Sequence, residues 1–218
     1  QEAMQLTWQA DSLQIKKFLP DVLIACFHHD AQTGLWAGTS EGLYLLEKEN
    51  ASFRLIKQVP FSLTGEILTL CPSNKGELLI GATKGAFVLK NFRQPANYSL
   101  EAIRNPAGNA FKFVNSILQD REERIWIAGQ NGLSVLDDQF QFKEQEIQLL
   151  RQNRLDKENI NKLLLDKEDN LWIGTANNGL IRLFLSNKQF PLFRLNTKDV
   201  DHGTADNIVR SIYAESEQ

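Results

Sequence analysis

Apolar and polar positions along this chain group into short bursts, and the clearest burst is residues 170–183, NLWIGTANNGLIRL. An apolar run, Leu171-Trp172-Ile173, leads into Gly174 and Thr175, a turn at Ala176-Asn177-Asn178-Gly179, and a second run, Leu180-Ile181-Arg182-Leu183. Two extended runs joined by a turn that ends in glycine predict a β-hairpin. The same pattern stands three times upstream, as LWAGTSEGLYLL from Leu35, LLIGATKGAFVL from Leu78 and IWIAGQNGLSVL from Ile125. Ahead of each hairpin lies another apolar run with a polar turn behind it. These are Val22-Leu23-Ile24-Ala25 before His28-His29-Asp30, Ile67-Leu68-Thr69-Leu70 before Ser73-Asn74-Lys75-Gly76, residues 114–118 before Asp120-Arg121-Glu122-Glu123, and residues 160–165 before 166–170. After each hairpin comes a more polar segment with aromatic punctuation, such as Phe53-Arg54-Leu55-Ile56 or residues 190–195, so each repeat predicts about four strands.

The glycines that close the hairpins, Gly42, Gly85, Gly132 and Gly179, are 43, 47 and 47 residues apart. Several short strands recurring at such a period predict an all-β fold, a β-propeller, because a four-stranded sheet buries both faces only against like sheets stacked about an axis. The expected repeats are residues 20–63, 64–110, 111–157 and 158–205, four complete four-stranded blades, with a truncated blade at 206–218. Residues 207–213 restate the inner-strand pattern of 159–165, and residues 6–10 and 13–19 read as the last strands of a preceding blade. The expectation is an arc of a larger propeller with partial blades at both ends. Trp36, Leu79, Trp126 and Trp172 occupy one position in the four repeats and are expected to pack between blades.

Composition changes this picture little. At 218 residues, 42% hydrophobic and 23% charged, the chain is an ordinary globular sequence, and a net charge of −3 gives no sign of nucleic-acid binding. No run of 18 apolar residues suggests a membrane span or signal peptide, and the lone methionine, Met4, suggests numbering that starts inside a longer product. Cys26 and Cys71 fall at the same place in successive repeats, too far apart for a disulfide, and are expected to be free, buried and small.

The string LLLDKEDNLWIGTANNGLIRL, an inner strand, Asp-x-x-x-Asn, Leu-Trp-Ile-Gly-Thr, a polar turn and Gly-Leu, resembles the two-component regulator propeller repeat. The third repeat carries Ala128-Gly129 in place of Gly-Thr, and the second has Leu79 for Trp and Ala82 for Thr. The resemblance covers nearly all of the chain after about residue 20. It implies the sensor region of a bacterial hybrid two-component histidine kinase: a periplasmic location in an inner-membrane protein, a transmembrane segment and kinase domains outside this segment, and an oligosaccharide signal. A homodimer of the full-length protein is expected with it. The other reading is a non-enzymatic scaffold that presents loops to a protein partner.

Little in the chain suggests catalysis. Gly38-Thr39-Ser40-Glu41-Gly42 satisfies the nucleophile-elbow pattern, yet it lies between two strands where the elbow needs a strand and a helix. His28 and His29 read as a solvated loop, and Glu122-Glu123 and Glu168-Asp169 as charged turn residues, with no paired ligand spacing for a metal. No catalytic residue, metal or cofactor is expected in this segment. A ligand is instead expected where the hairpin turns and the connections entering the inner strands share one face, because amides, charges and an aromatic residue in a concave mouth suit sugar hydroxyls. The candidates are Glu41, Lys84, Gln130, Asn131, Asn177 and Asn178 on the turns and Lys112 on a connection.

Overall fold

A computed structural model of the protein describes residues 3–9, 12–18, 22–49, 52–94, 97–105, 108–185, 193–194 and 208–212. The connections at Pro20-Asp21 and 202–207, most of the segment 190–195, and the truncated repeat apart from 208–212 lie outside the described residues. An antiparallel hairpin of β1 (Ala3–Gln9) and β2 (Ser12–Phe18) comes first. Four antiparallel sheets follow, each a meander in chain order. The first is β3 (Ile24–Asp30), β4 (Gly34–Thr39), β5 (Gly42–Glu49) and β6 (Ser52–Pro60), joined by the one-turn helix α1 (Phe61–Thr64) to the second. That second sheet is β7 (Ile67–Pro72), β8 (Leu78–Ala82), β9 (Gly85–Lys90) and β10 (Ser99–Ile103). The third holds β11 (Val114–Gln119), β12 (Ile125–Gly129) and β13 (Gly132–Leu136), with α2 (Glu144–Gln152) after it. β14 (Ile160–Leu165), β15 (Asn170–Thr175), β16 (Leu180–Phe184) and the short β17 (Phe193–Arg194) make the fourth. The architecture is a β-propeller arrangement.

The third sheet departs from the expected quartet: it has three strands, and a helix stands in the slot of the outer strand. Residues 144–152, EQEIQLLRQ, bury Ile147 and Leu150, one helical turn apart, in the core that the third sheet shares with the fourth. Glu144 and Glu146 in the first turn and Arg151 in the last complement the helix dipole, so the local chemistry favours a helix where the other repeats extend.

Alternation along the strands sends each sheet's two faces into different cores. Trp36, Leu43 and Leu45 of the first sheet meet Ile67, Leu78, Ile80 and Phe87 of the second. On the second sheet's other face Leu79, Ala86 and Val88 meet Val114, Ile117, Ile125 and Ile127 of the third. Trp126, Leu133 and Val135 then meet Ile160, Leu163, Leu171 and Ile173 of the fourth. Each gap between sheets is therefore an apolar core, and each fully buried large side chain in it contributes about 1.5–3 kcal/mol. Close approach at three of these places depends on glycine, while Ala128 holds the matching position between the third and fourth sheets. A Cβ on Gly38 would stand 2.6 Å from Ile67 Cγ2, one on Gly81 2.7 Å from Val114 Cγ1, and one on Gly174 2.6 Å from Val209 Cγ1. Gly132 is required for a second reason, since its φ of +97° suits glycine and a Cβ there would overlap the backbone of Asp156.

The polar turns between the first two strands of each sheet hold the tryptophans from below. Asp166 accepts from the backbone N–H of Glu168 and Asn170, from the Asn170 amide, and at 2.8 Å from the Trp172 indole. Asp120 does the same for Glu122, Arg124 and, at 2.7 Å, the indole of Trp126, and also takes the Arg124 Nε at 2.6 Å. In the first sheet the link is relayed: the Trp36 indole donates to Thr33 Oγ1, whose hydroxyl donates to Asp30. Where Leu79 replaces tryptophan, Ser73 stands in the place of the aspartate. Neighbouring turns are also tied together, by Arg93 to Asp30 at 2.8 Å, Lys75 to Asp138 at 2.8 Å, and Arg121 to Asp169 at 3.1 Å.

Burial alone would raise the carboxyl groups of Asp30 and Asp166. The hydrogen bonds outweigh it, from Arg93 and Thr33 on Asp30 and from Asn170 and Trp172 on Asp166, so both sit below the ordinary aspartate range. A depressed folded-state pKa contributes stability that is complete above the unfolded value, about 3.9, and is lost as pH falls through the folded one. Guanidinium midpoints should hold level down to about pH 4 and fall below it, and Asp166→Asn should flatten that fall.

Candidate functional site

The innermost strand of every sheet carries an irregularity at the same rung. Pairing skips from Ile24 to Cys26, from Ile67 to Thr69, from Val114 to Ser116 and from Ile160 to Lys162. One residue of each strand, Ala25, Leu68, Asn115 or Asn161, is thereby left out of the ladder as a β-bulge, which turns its side chain away from the sheet faces. These four residues, with Lys162, Ile208 and Arg210, line one open cavity of about 460 Å3, so the bulges mark the axis about which the sheets stand. Asn115 Nδ2 donates to the Ile160 carbonyl at 2.9 Å and Asn161 Nδ2 to the Val209 carbonyl at 3.0 Å, each tying its strand to the next inner strand. The segment 208–212 therefore stands where a fifth inner strand would, and the Val209 N–H donates to the Thr175 carbonyl much as Phe113 N–H donates to that of Thr83.

A second cavity, of about 270 Å3, opens on the third sheet beside α2 and the connection that enters β11. Phe111 and Phe142 stack in its wall with centroids 6.2 Å apart and planes at 18°, and Asn105, Lys112, Asn131, Arg151 and Asp156 bring polar groups to it. A third, of about 230 Å3, lies among the lower turns at Asp120, Arg121 and Asp169.

Of the seven residues expected to meet a ligand, the structure brings two together, Lys112 and Asn131, in the cavity beside α2. The other turn residues line none of these three cavities. Glu41 accepts from the Tyr44 hydroxyl, Lys84 Nζ donates to the Ser62 carbonyl, and Asn178 Nδ2 donates to Glu158 at 2.7 Å. Gln130 and Asn177 stand exposed on their turns. What sequence reasoning missed is the axial set. Its signal was an asparagine inside two inner strands, Asn115 and Asn161, a residue that strands disfavour.

The remaining candidates have structural places. Ser40 belongs to a hairpin turn, its N–H donating to the Leu23 carbonyl and its Oγ accepting from Leu23 N–H. His28 and His29, expected in a loop, are on β3 instead. His28 is half-buried edge-on to Phe92, and burial, foremost, holds its pKa down; His29 is exposed. Glu122 pairs with Arg124 at 3.1 Å. Among the described residues no three His, Cys, Asp or Glu side chains gather as metal ligands would. Cys26 and Cys71 are free and half-buried, and burial pushes the Cys26 thiol up to about 12.

Residues 154–177 match the family model described as two component regulator propeller. Among curated proteins no relative matches. Several solved structures share the fold. The extracellular domain of BT3049 from B. thetaiotaomicron, assigned to a hybrid two component system, superposes with a TM-score of 0.63 at 21% identity over 90% of this chain and 25% of its own. That of BT4673 from the same organism, assigned to a one component system, gives 0.59 at 22% identity over 82% and 22%. PorZ, a surface component of the type-IX secretion system of Porphyromonas gingivalis, gives 0.64 at 12% identity over 94% and 32%. The chain thus spans between about a fifth and a third of the length of these proteins. No helix among the described residues is long and apolar enough to cross a membrane.

Proposed function

We propose that this chain, which carries a two component regulator propeller repeat, is an arc of the extracellular sensing propeller of a two-component signalling protein and takes part of an oligosaccharide in the cavity beside α2. The observation that carries this reading is the make-up of that cavity: the Phe111–Phe142 stack offers an apolar wall, while Asn131, Lys112 and Asp156 offer both donors and acceptors. An aromatic wall with a few convergent polar groups suits a sugar ring, whose faces are apolar and whose rim is hydroxyl. A membrane anchor, histidine kinase domains and a periplasmic placement outside this segment belong to the same proposal. So does a homodimer of the full-length protein.

The fourth sheet favours a larger propeller. Its outer face presents Trp172, Leu180 and Phe184, all half-buried, with the Arg182 guanidinium 5.2 Å from the Trp172 ring and 4.2 Å from that of Phe184. A further sheet begun at 208–212 would cover this face as the fourth covers Trp126.

Calorimetric titration of the protein with a panel of neutral oligosaccharides tests the reading. At least one should bind, and Lys112→Ala or Asn131→Ala should weaken it about tenfold, the loss of one good hydrogen bond. An absence of heat with every glycan, alongside tight association with another protein, would favour the scaffold instead.

A further inference from the structure

We propose that the axial cavity binds a small anion, a carboxylate or an oxyanion such as phosphate, between Lys162 and Arg210. This stands independently of any saccharide beside α2. Among the described residues the cavity's charged lining is Lys162 and Arg210, with no Asp or Glu, although the chain as a whole carries a net charge of −3. Among the described residues neither cation has an ion-pair partner. Two like charges facing one concave space repel each other, and a cleft lined by one sign concentrates ions of the other. An anion held there exchanges that repulsion for two charge-assisted hydrogen bonds.

The bulges make the place suitable. Asn115 and Asn161 each donate one Nδ2 hydrogen to the next strand's carbonyl, which fixes the spacing of the inner strands, and a second amide hydrogen on each adds donors beside the two cations. Ala25 and Leu68 on the opposite strands are apolar and offer nothing that competes with an anion.

The test is calorimetric titration of the protein at low ionic strength with sodium phosphate, sodium glucuronate and, as the neutral counterpart, glucose. At least one of the anions should bind in the millimolar range or tighter. Binding should weaken about tenfold or more in Lys162→Gln/Arg210→Gln, remain unchanged in Lys167→Gln, an exposed lysine that lines neither cavity, and fall as sodium chloride is raised. Preference for phosphate would identify an oxyanion and preference for glucuronate the carboxylate of a sugar acid, and either supports the site. Because Lys162 is half-buried, the exposed Arg210→Gln is measured alone as well, and should weaken binding by itself. Failure of both anions to bind, or equal affinity in wild type and the Arg210 variant, would overturn the proposal. Neither result bears on neutral glycans at Lys112 and Asn131, so the two sites fail or succeed separately.

Discussion

Asp120→Ala lowers the unfolding free energy by about 3–5 kcal/mol, seen as a reduced guanidinium midpoint, because it strips a buried guanidinium of its buried counter-ion and leaves it only the exposed Glu122 carboxylate. Asp120 and Arg124 are only 2% and 7% exposed, and one carboxylate serves the Arg124 Nε, the Trp126 indole and two backbone N–H groups. Removing it orphans four donors at once, and a buried donor left unsatisfied costs about 1–3 kcal/mol. Against a typical stability of about 5–15 kcal/mol the loss is large. The account also fixes the sign of a double variant. Asp120→Leu/Arg124→Leu removes both charges and should be markedly more stable than Asp120→Ala, since the cost lies in a buried cation left with only the exposed Glu122. Equal midpoints for the single and double variants would show that Arg124 is hydrated and the pair is a surface feature.

Trp126→Ala should cost about 3–5 kcal/mol, the range for a fully buried aromatic residue replaced by alanine. Trp126 is fully buried between the third and fourth sheets. Trp172 holds the same position in the next repeat with the same indole-to-aspartate bond, but is half-buried on the outer face of the fourth sheet. Trp172→Ala should therefore cost about half as much, in proportion to the apolar area removed from water. The comparison isolates packing between sheets, because the two residues share their strand position and hydrogen-bond partner. Matching losses would mean that each tryptophan acts within its own sheet.

The stacking was legible in the sequence because it depends on residue types that recur. The glycines at 42, 85, 132 and 179 and the Trp-or-Leu position at 36, 79, 126 and 172 report turn geometry and burial, which the chain restates every 43–47 residues. The helix α2 was hidden because two buried positions, Ile147 and Leu150, are too few to set a helical period against three repeats that extend there. The six-residue step from Asp30, Asp120 and Asp166 to Trp36, Trp126 and Trp172 was present in the sequence, and its aspartates read as turn residues until the indole bonds showed their second role. The axial positions were least visible. A bulge is a property of pairing between strands, and Ala25 and Leu68 give no polar sign of one. Lys162 and Arg210 are 48 residues apart in sequence and meet only because the inner strands share an axis.

That shared axis is the claim on which the cavities, the tryptophan comparison and the anion site all depend. Methyl-resolved NMR measures it directly through the glycines where successive sheets approach most closely. The structure requires cross-relaxation from the Gly38 Hα to the Ile67 γ2-methyl, from Gly81 to the Val114 methyls, and from Gly174 to the Val209 methyls. All three observed together would establish sheets stacked in register about one line, and their absence in a folded sample would contradict the stacking.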